Sequence, residues 1–258
     1  MSKKSLILTY FLIILAFIWE ILSLIIYLTT DVLIYWQIAS IFISVVAIII
    51  RLFVMDIEKF VSRIQESDIY KGEQMKSLNP KRFLNLMPVA MTFCTIADIV
   101  IPISFIAGIL IFLVAHILNI SAYSGIIHIN PKTAYSGENK ILALGSTIVL
   151  AMTVITIYFA LIFSAEDFTT ILVIPYIVVL IIMAIITFIG LGYNSRPLKF
   201  RLVLCGGAIL FVISDTILAY NRFNTPIFAP HLWIGTTYFL AIFMLQIAIL
   251  FSRSLREN

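Results

Sequence analysis

The chain has 258 residues, of which 62% are hydrophobic and only 12% are charged, and its formal net charge is +4. Soluble domains carry about 25% charged residues, so this chain has too few to form a water-facing surface. The composition excludes a soluble globular enzyme, a disordered tail and a disulfide scaffold. It predicts an integral membrane protein.

Eight apolar runs follow one another, each close to the roughly 20 residues that a helix needs to cross a bilayer. They cover Leu6–Leu28, Val32–Val54, Phe83–Ile101, Ile103–Ala122, Ile141–Phe163, Thr169–Gly192, Leu202–Tyr220 and Leu232–Phe251. Because hydrocarbon offers the backbone no hydrogen-bond partners, each run is expected to be an α-helix. The sequence therefore predicts an all-α fold, a bundle of eight transmembrane helices in a single domain that spans residues 1–258.

Lysine and arginine residues indicate the orientation of these spans. Of the 17 basic residues, all but Arg222 fall at the termini and in the loops of one side. By the positive-inside rule, both termini face the cytoplasm, and the cytoplasmic (plasma) membrane is the expected location. Topology thus explains the positive charge, and no nucleic-acid partner is expected.

The long cytoplasmic loop, about residues 56–82, begins with four apolar residues at helical spacing, which are Ile57, Phe60, Val61 and Ile64. This spacing is typical of an amphipathic helix. The pattern predicts either a helix that lies on the membrane surface or an extension of the second span.

Charged residues inside the spans need a physical reason. Glu20, Asp98 and Asp215 each cost about 2.5–3.5 kcal/mol at the centre of an isolated membrane helix, and such groups normally face a partner or a water-filled cavity. His116 lies near the middle of the fourth span. For Glu20 and His116 the alternative is a structural role, with the side chain hydrogen-bonded within the packed bundle.

Tyr176 in span six and Tyr238 in span eight fall in the outer half of the bilayer, as the three acids do, and Asp215 is accompanied along the chain by Ser214, Asn221 and Arg222. Ser214 and Asn221 are seven residues apart, as are Asp215 and Arg222, so each pair shares a helix face. With the aspartates they predict a polar cavity in the outer half of the bilayer. For the two tyrosines the alternative is an aromatic belt at the interface.

Several motifs resemble those of one family. The run from Gly207 to Asp215, followed by Asn221-Arg222-Phe223, resembles the Gly-Ala-x-x-Phe-x-x-Ser-Asp and Asn/Asp-Arg-Phe motifs of the YhhN family of lysoplasmalogenase-like membrane proteins. Ala97-Asp98 and the run from Phe112 to His116 are similar to its Gly-Asp and Phe-Leu-x-x-His motifs.

The resemblance covers about residues 80–251. Pro175-Tyr176 and the run from Thr237 to Ala241 resemble the tyrosine motifs of the family's sixth and eighth spans. The chain departs from the pattern in three places: Ala97 replaces the usual glycine, Ile242 stands where glutamine is common, and the Lys-Pro typical of the family's second span is absent, with a long charged loop before Asp98 instead.

The resemblance implies hydrolysis of the vinyl-ether bond of lysoplasmalogens, which releases a fatty aldehyde and a glycerophospho-headgroup. Such a bond is cleaved by protonation of its β-carbon and addition of water to the resulting oxocarbenium ion. The reaction needs a general acid and a carboxylate that stabilises positive charge and activates water. It requires no metal and no cofactor, and its partners are the lysophospholipid substrate and bilayer lipids.

On this hypothesis Asp98 and Asp215 form the acid/base pair, in either order, and His116 positions water or tunes one aspartate. Ser214, Asn221, Tyr176 and Tyr238 orient the substrate, while Arg222 pairs with its phosphate. Two other functions fit the same residues. One is a lysolipid-binding membrane protein without catalysis, and the other is a proton-coupled transporter.

Overall fold

The computed structural model describes residues 3–30, 32–54, 79–127, 140–162, 168–192 and 196–251. Within these ranges the α-helices are α1 (Lys3–Thr30), α2 (Leu33–Ile49), α3 (Pro80–Val100), α4 (Phe105–Tyr123), α5 (Lys140–Ile162), α6 (Phe168–Leu191), α7 (Leu198–Phe223) and α8 (Pro230–Ile247). A π-helical turn, Ile50–Val54, extends α2, and a 3-10 turn, Ala248–Phe251, extends α8. No strand occurs in this part of the chain, and the prediction of an all-α fold is confirmed.

Among the described residues, six helical segments are long and apolar enough to cross a membrane, namely Leu33–Leu52, Lys81–Val100, Phe105–Tyr123, Val173–Leu191, Leu198–Phe223 and Pro230–Phe251. The chain is therefore a multi-pass integral membrane protein. Helices α1 and α5 coincide in sequence with the first and fifth predicted spans. The crossing of the membrane by these two helices and the cytoplasmic placement of both termini stay predictions. The amphipathic pattern that begins at Ile57 lies outside the described residues.

The connection between α3 and α4 is short and contains Pro102, which has no backbone N–H to donate. Helix α3 ends at Val100, a turn follows, and α4 begins at Phe105. The Ser104 hydroxyl accepts a hydrogen bond from the backbone N–H of Ala107 at 3.4 Å and so caps α4. At the other end of α3, the Asn79 side chain accepts from the backbone N–H of Arg82, and proline occupies the first turn, where its missing N–H costs nothing.

The helices form two compact units, here called unit 1 (Met1–Ile126) and unit 2 (Ile127–Asn258). In unit 1, α1 packs on α2, α2 on α3, and α3 most extensively on α4. In unit 2, α5 packs on α6, α6 on α7, and α7 most extensively on α8. Each helix thus has its chain neighbour as its main partner within its unit. The single domain expected from the sequence stays a prediction.

Glycine permits a close approach in each unit. A Cβ atom on Gly108 would lie 2.3 Å from Cγ1 and 2.9 Å from Cα of Ile101, across the α3–α4 turn. A Cβ atom on Gly207 of α7 would lie 3.0 Å from the carbonyl oxygen of Ala241 in α8. Small residues at such points let membrane helices pack backbone to backbone.

Candidate functional site

Asp98 lies inside unit 1, two residues before the end of α3, and only 3% of its surface is exposed. Its Oδ2 atom accepts a hydrogen bond from the hydroxyl of Ser40 on α2, which is completely buried. The carboxylate is therefore embedded in the packed helices and held by a donor from the neighbouring helix.

A small group of hydroxyls supports this contact. Thr95 Oγ1 donates to the carbonyl oxygen of Ser40 at 2.7 Å, and the hydroxyls of Ser44 and Thr95 lie 2.7 Å apart. The Ser44 hydroxyl also donates to the carbonyl oxygen of Met91 in α3, at 3.3 Å. We call Ser40, Ser44 and Thr95 the hydroxyl seam. It fixes the α2–α3 interface beside Asp98.

The hydroxyl seam was missed from the sequence, although a weak signal is present. Ser40 and Ser44 are four residues apart in an otherwise apolar helix and so lie on one face. Thr95 precedes Asp98 by three residues and shares its face in the same way. The sequence cannot tell which other helix such a face meets.

His116 lies on α4, in the same unit as Asp98, and is completely buried. Its ring stacks on that of Phe112, with centroids 6.3 Å apart and planes inclined by 17°. Glu20, also singled out in the sequence, lies on α1.

Asp215 lies on α7 in unit 2 and is half-buried. Its Oδ2 atom accepts a hydrogen bond from the phenol of Tyr176 on α6, and only 4% of the tyrosine surface is exposed. Pro175 directly precedes this tyrosine inside α6. Because proline has no backbone N–H, the helix lacks one internal hydrogen bond there. The structure thus brings together two of the residues singled out in the sequence, from helices that are neighbours in unit 2.

The other predicted residues of α7 bind backbone groups of unit 2. The Ser214 hydroxyl donates to the carbonyl oxygen of Ile234 in α8 at 3.1 Å. Asn221 Oδ1 accepts from the backbone N–H of Ile227 at 3.0 Å, within the α7–α8 connection. Both side chains therefore hold the α7–α8 hairpin. Arg222 is exposed in the last turn of α7.

Tyr238 is buried on α8 among aromatic rings. Its ring meets those of Phe211 and Phe239 edge to face, at centroid distances of 5.5 and 5.3 Å. Its place in the interior of unit 2 differs from that of a tyrosine in an interfacial belt. Within the described ranges, no three His, Cys, Asp or Glu side chains are grouped as a metal site requires.

The model of the YhhN family matches residues 73–249, which is well over half of the chain. The chain belongs to the YhhN family. The resemblance inferred from the motifs is thereby confirmed. No curated protein and no solved structure matches the chain.

In this YhhN-family protein the matched range contains both aspartates and Tyr176, but it begins after α2. The serine that donates to Asp98 therefore comes from a helix that precedes the family match. Each carboxylate has a hydroxyl donor on the preceding membrane-spanning helix of its own unit, which is Ser40 for Asp98 and Tyr176 for Asp215. This shared arrangement is the main chemical feature of the described residues.

Proposed function

We propose that the protein is a membrane-embedded lipid hydrolase that cleaves the vinyl-ether bond of a lysoplasmalogen, with Asp98 and Asp215 as its acid/base pair. Membership of the YhhN family supports the substrate class. The observation that carries the chemistry is that both carboxylates lie on membrane-spanning helices and that each accepts a hydrogen bond from a hydroxyl group. Carboxylates in the membrane interior are costly and are a mark of function.

The reaction balances without an oxidant or a reductant. One carboxylic acid delivers a proton to the β-carbon of the vinyl ether, which leaves an oxocarbenium ion. The other carboxylate stabilises that cation and takes a proton from the attacking water. The hemiacetal then breaks its C–O bond to the glycerol, giving one fatty aldehyde and one glycerophospho-headgroup for each water consumed. The assignment of both aspartates to one reaction rests on this chemical need for an acid and a base.

The hydroxyl donors have a defined part in this proposal. A carboxylate whose orientation is fixed by a hydrogen bond is already placed for proton transfer, which removes part of the entropic barrier. Ser40 and Tyr176 do this for the two aspartates. Tyr238 is proposed to contact the alkenyl chain of the substrate and Arg222 its phosphate, while His116 positions water.

The test is aldehyde release by purified protein from three lysophospholipids that share a headgroup and differ only at the first glycerol carbon, with a vinyl-ether, an alkyl-ether or an ester link. Only the vinyl ether has a β-carbon that accepts a proton, so only it is expected to react. Asp98→Asn and Asp215→Asn are each expected to lower the rate by at least about 100-fold, the lower limit of general acid–base catalysis.

Gly145→Ala is the matched control, because a Cβ atom there meets nothing within 4 Å. Full activity in either asparagine variant would remove that carboxylate from the mechanism. Binding of the vinyl-ether lipid without aldehyde release by a folded sample would replace the hydrolase with a lysolipid-binding protein. Proton-coupled uptake by vesicles without product would favour a transporter.

The proposed setting is the cytoplasmic membrane, with eight crossings and both termini inside. The distribution of lysine and arginine supports this orientation. A reporter enzyme that is active only outside the cytoplasm, fused to the C-terminus, is expected to be inactive. Activity of that fusion would reverse the orientation.

A further inference from the structure

Helix α4 carries two buried polar residues that the proposed reaction does not use. Asn119 and Tyr123 are both completely buried and are four residues apart, so they lie on the same face of the helix. We call these two residues the α4 polar pair. His116 lies one turn before Asn119 on this face.

The α4 polar pair presents three hydrogen-bonding atoms without a partner. Both polar atoms of the Asn119 amide and the Tyr123 hydroxyl make no hydrogen bond to any residue that the structure describes. Buried polar groups in proteins are nearly always paired, because an unpaired one loses its hydration without compensation. In the same unit, the equally buried hydroxyls of Ser40 and Thr95 are paired. The unpaired atoms are therefore a local property of the α4 polar pair.

The α4 polar pair packs beside α3. The Tyr123 ring lies 6.2 Å from that of Phe83. Helical side chains lean toward the N-terminus of their helix, so the Tyr123 side chain leans toward the turn that carries Asn119. The pair thus brings an amide donor, an amide acceptor and a phenol to one face of α4 in the interior of unit 1.

The chemistry of this place selects its ligand. The amide and the phenol are both neutral, and the guanidinium of Arg82, on the neighbouring α3, donates to the hydroxyl of Ser121. A phosphate or carboxylate would lack a counter-charge here, whereas a hydroxyl group can donate to the amide oxygen and accept from the amide N–H or the phenol.

We propose that the α4 polar pair is a binding site for a neutral hydroxyl group, supplied either by water or by the glycerol of a lysolipid. This proposal does not depend on the reaction proposed for the two aspartates. Such a ligand satisfies all three atoms at once, as buried waters do with two to four polar partners.

The first measurement is the thermal stability of Tyr123→Phe in detergent. This variant keeps the ring that packs on Phe83 and removes only the hydroxyl. If the site holds a hydroxyl ligand, the substitution breaks a hydrogen bond and Tm falls by roughly 2–4 °C. If the site is empty, the substitution removes an unpaired polar atom, and Tm stays the same or rises, which would overturn the proposal.

Asn119→Leu tests the amide in the same way, by the change in Tm when its polar atoms are removed. If the leucine variant does not fold, the Tm of Tyr123→Phe alone decides whether the site holds a ligand. Tyr220→Phe is the control, because that tyrosine is 39% exposed and the hydroxyl that donates to it, that of Thr225 at 3.2 Å, is exposed as well. Its Tm is expected to change by less than that of Tyr123→Phe. Equal changes in the two tyrosine variants would also count against the site.

The source of the hydroxyl is found by adding an alkyl-ether lysophospholipid, which has no vinyl ether to cleave, or its analogue without the free glycerol hydroxyl. If the ligand is the glycerol, only the first lipid raises the Tm of the wild type, and Tyr123→Phe loses that response. If the ligand is water, the deficit of Tyr123→Phe is the same with and without either lipid. These readouts do not involve aldehyde release, so a failure of the hydrolase proposal leaves them intact.

Discussion

Replacing Ser40 with alanine is expected to lower the free energy of unfolding by about 1.5–3 kcal/mol, the range for a hydrogen bond to a charged group. The substitution removes a single oxygen atom. The Asp98 carboxylate that loses its donor is 97% buried, so bulk water is poorly placed to replace the serine hydroxyl. The loss is therefore expected near the middle of that range or above it.

Ser44→Ala is a closely matched control. It removes the same atom from the same helix, one turn away, at a position that is also buried. The contacts it breaks go to neutral partners, the Thr95 hydroxyl at 2.7 Å, which keeps its own bond to the Ser40 carbonyl, and the Met91 carbonyl at 3.3 Å. A neutral hydrogen bond contributes about 0.5–1.5 kcal/mol, so Ser44→Ala is expected to cost about 1 kcal/mol less than Ser40→Ala.

The assay is equilibrium unfolding in mixed detergent micelles, run on both variants and repeated in the Asp98→Ala background. In that background the carboxylate is absent, so Ser40→Ala breaks no hydrogen bond to it and should lower the free energy of unfolding much less. The loss caused by Ser44→Ala should not change. Equal losses in Ser40→Ala and Ser44→Ala would refute the reasoning. So would a loss in Ser40→Ala that is the same with and without the aspartate.

Three further predictions follow from contacts in the two units. Tyr176→Phe keeps the ring but removes the hydroxyl bound to the α7 carboxylate, and it is expected to slow aldehyde release about 10- to 100-fold; an unchanged rate at equal folded protein would deny this hydrogen bond a part in the reaction. Tyr238→Phe removes the hydroxyl of a residue proposed to contact the substrate, so aldehyde release should fall. Because the variant keeps the edge-to-face ring contacts, its thermal stability should change little. Equal losses of activity and stability would indicate a structural role. Gly108→Ala places a Cβ atom 2.3 Å from the Ile101 side chain and should lower stability by about 1–3 kcal/mol, whereas Gly145→Ala, with nothing within 4 Å, should be neutral or slightly stabilising. Thermal unfolding of that pair in detergent checks the last expectation, and similar stability of the two variants would contradict the close α3–α4 contact.

The helices could be predicted from the sequence because each is long, apolar and bounded by clear signals. Pro102 separated two runs that would otherwise read as one, and the structure places the turn at that point. Asp98 and Asp215 could also be singled out, since a carboxylate in hydrocarbon is costly wherever it lies. The cost of a carboxylate in hydrocarbon indicates which residues need a hydrogen-bonding partner.

The partners themselves could not be predicted, for a physical reason. Serine and threonine are inexpensive in membrane helices, so Ser40 does not differ in the sequence from serines that only face the packed interior. The pairing of Ser40 with Asp98 spans 58 residues, and that of Tyr176 with Asp215 spans 39. Both depend on the rotation of one helix about its axis relative to the next, which hydrophobicity alone leaves open.

The residues of the α7–α8 hairpin show a different limit. The seven-residue spacing of Ser214 and Asn221 correctly placed them on one helix face, but it could not distinguish a face that binds a ligand from one that binds backbone. In the structure both side chains bond to backbone groups of the following segment.

The order of the partners along the chain has a consequence for biosynthesis. Ser40 precedes Asp98, and Tyr176 precedes Asp215. Since proteins are made from the N-terminus, each hydroxyl donor is already in the membrane when the helix with its aspartate leaves the ribosome. An aspartate that inserts alone costs about 2.5–3.5 kcal/mol, and here a donor on the previously inserted spanning helix of the same unit offsets part of that cost at once. Neither helix that carries one of these aspartates is therefore synthesised before the helix that carries its hydroxyl donor.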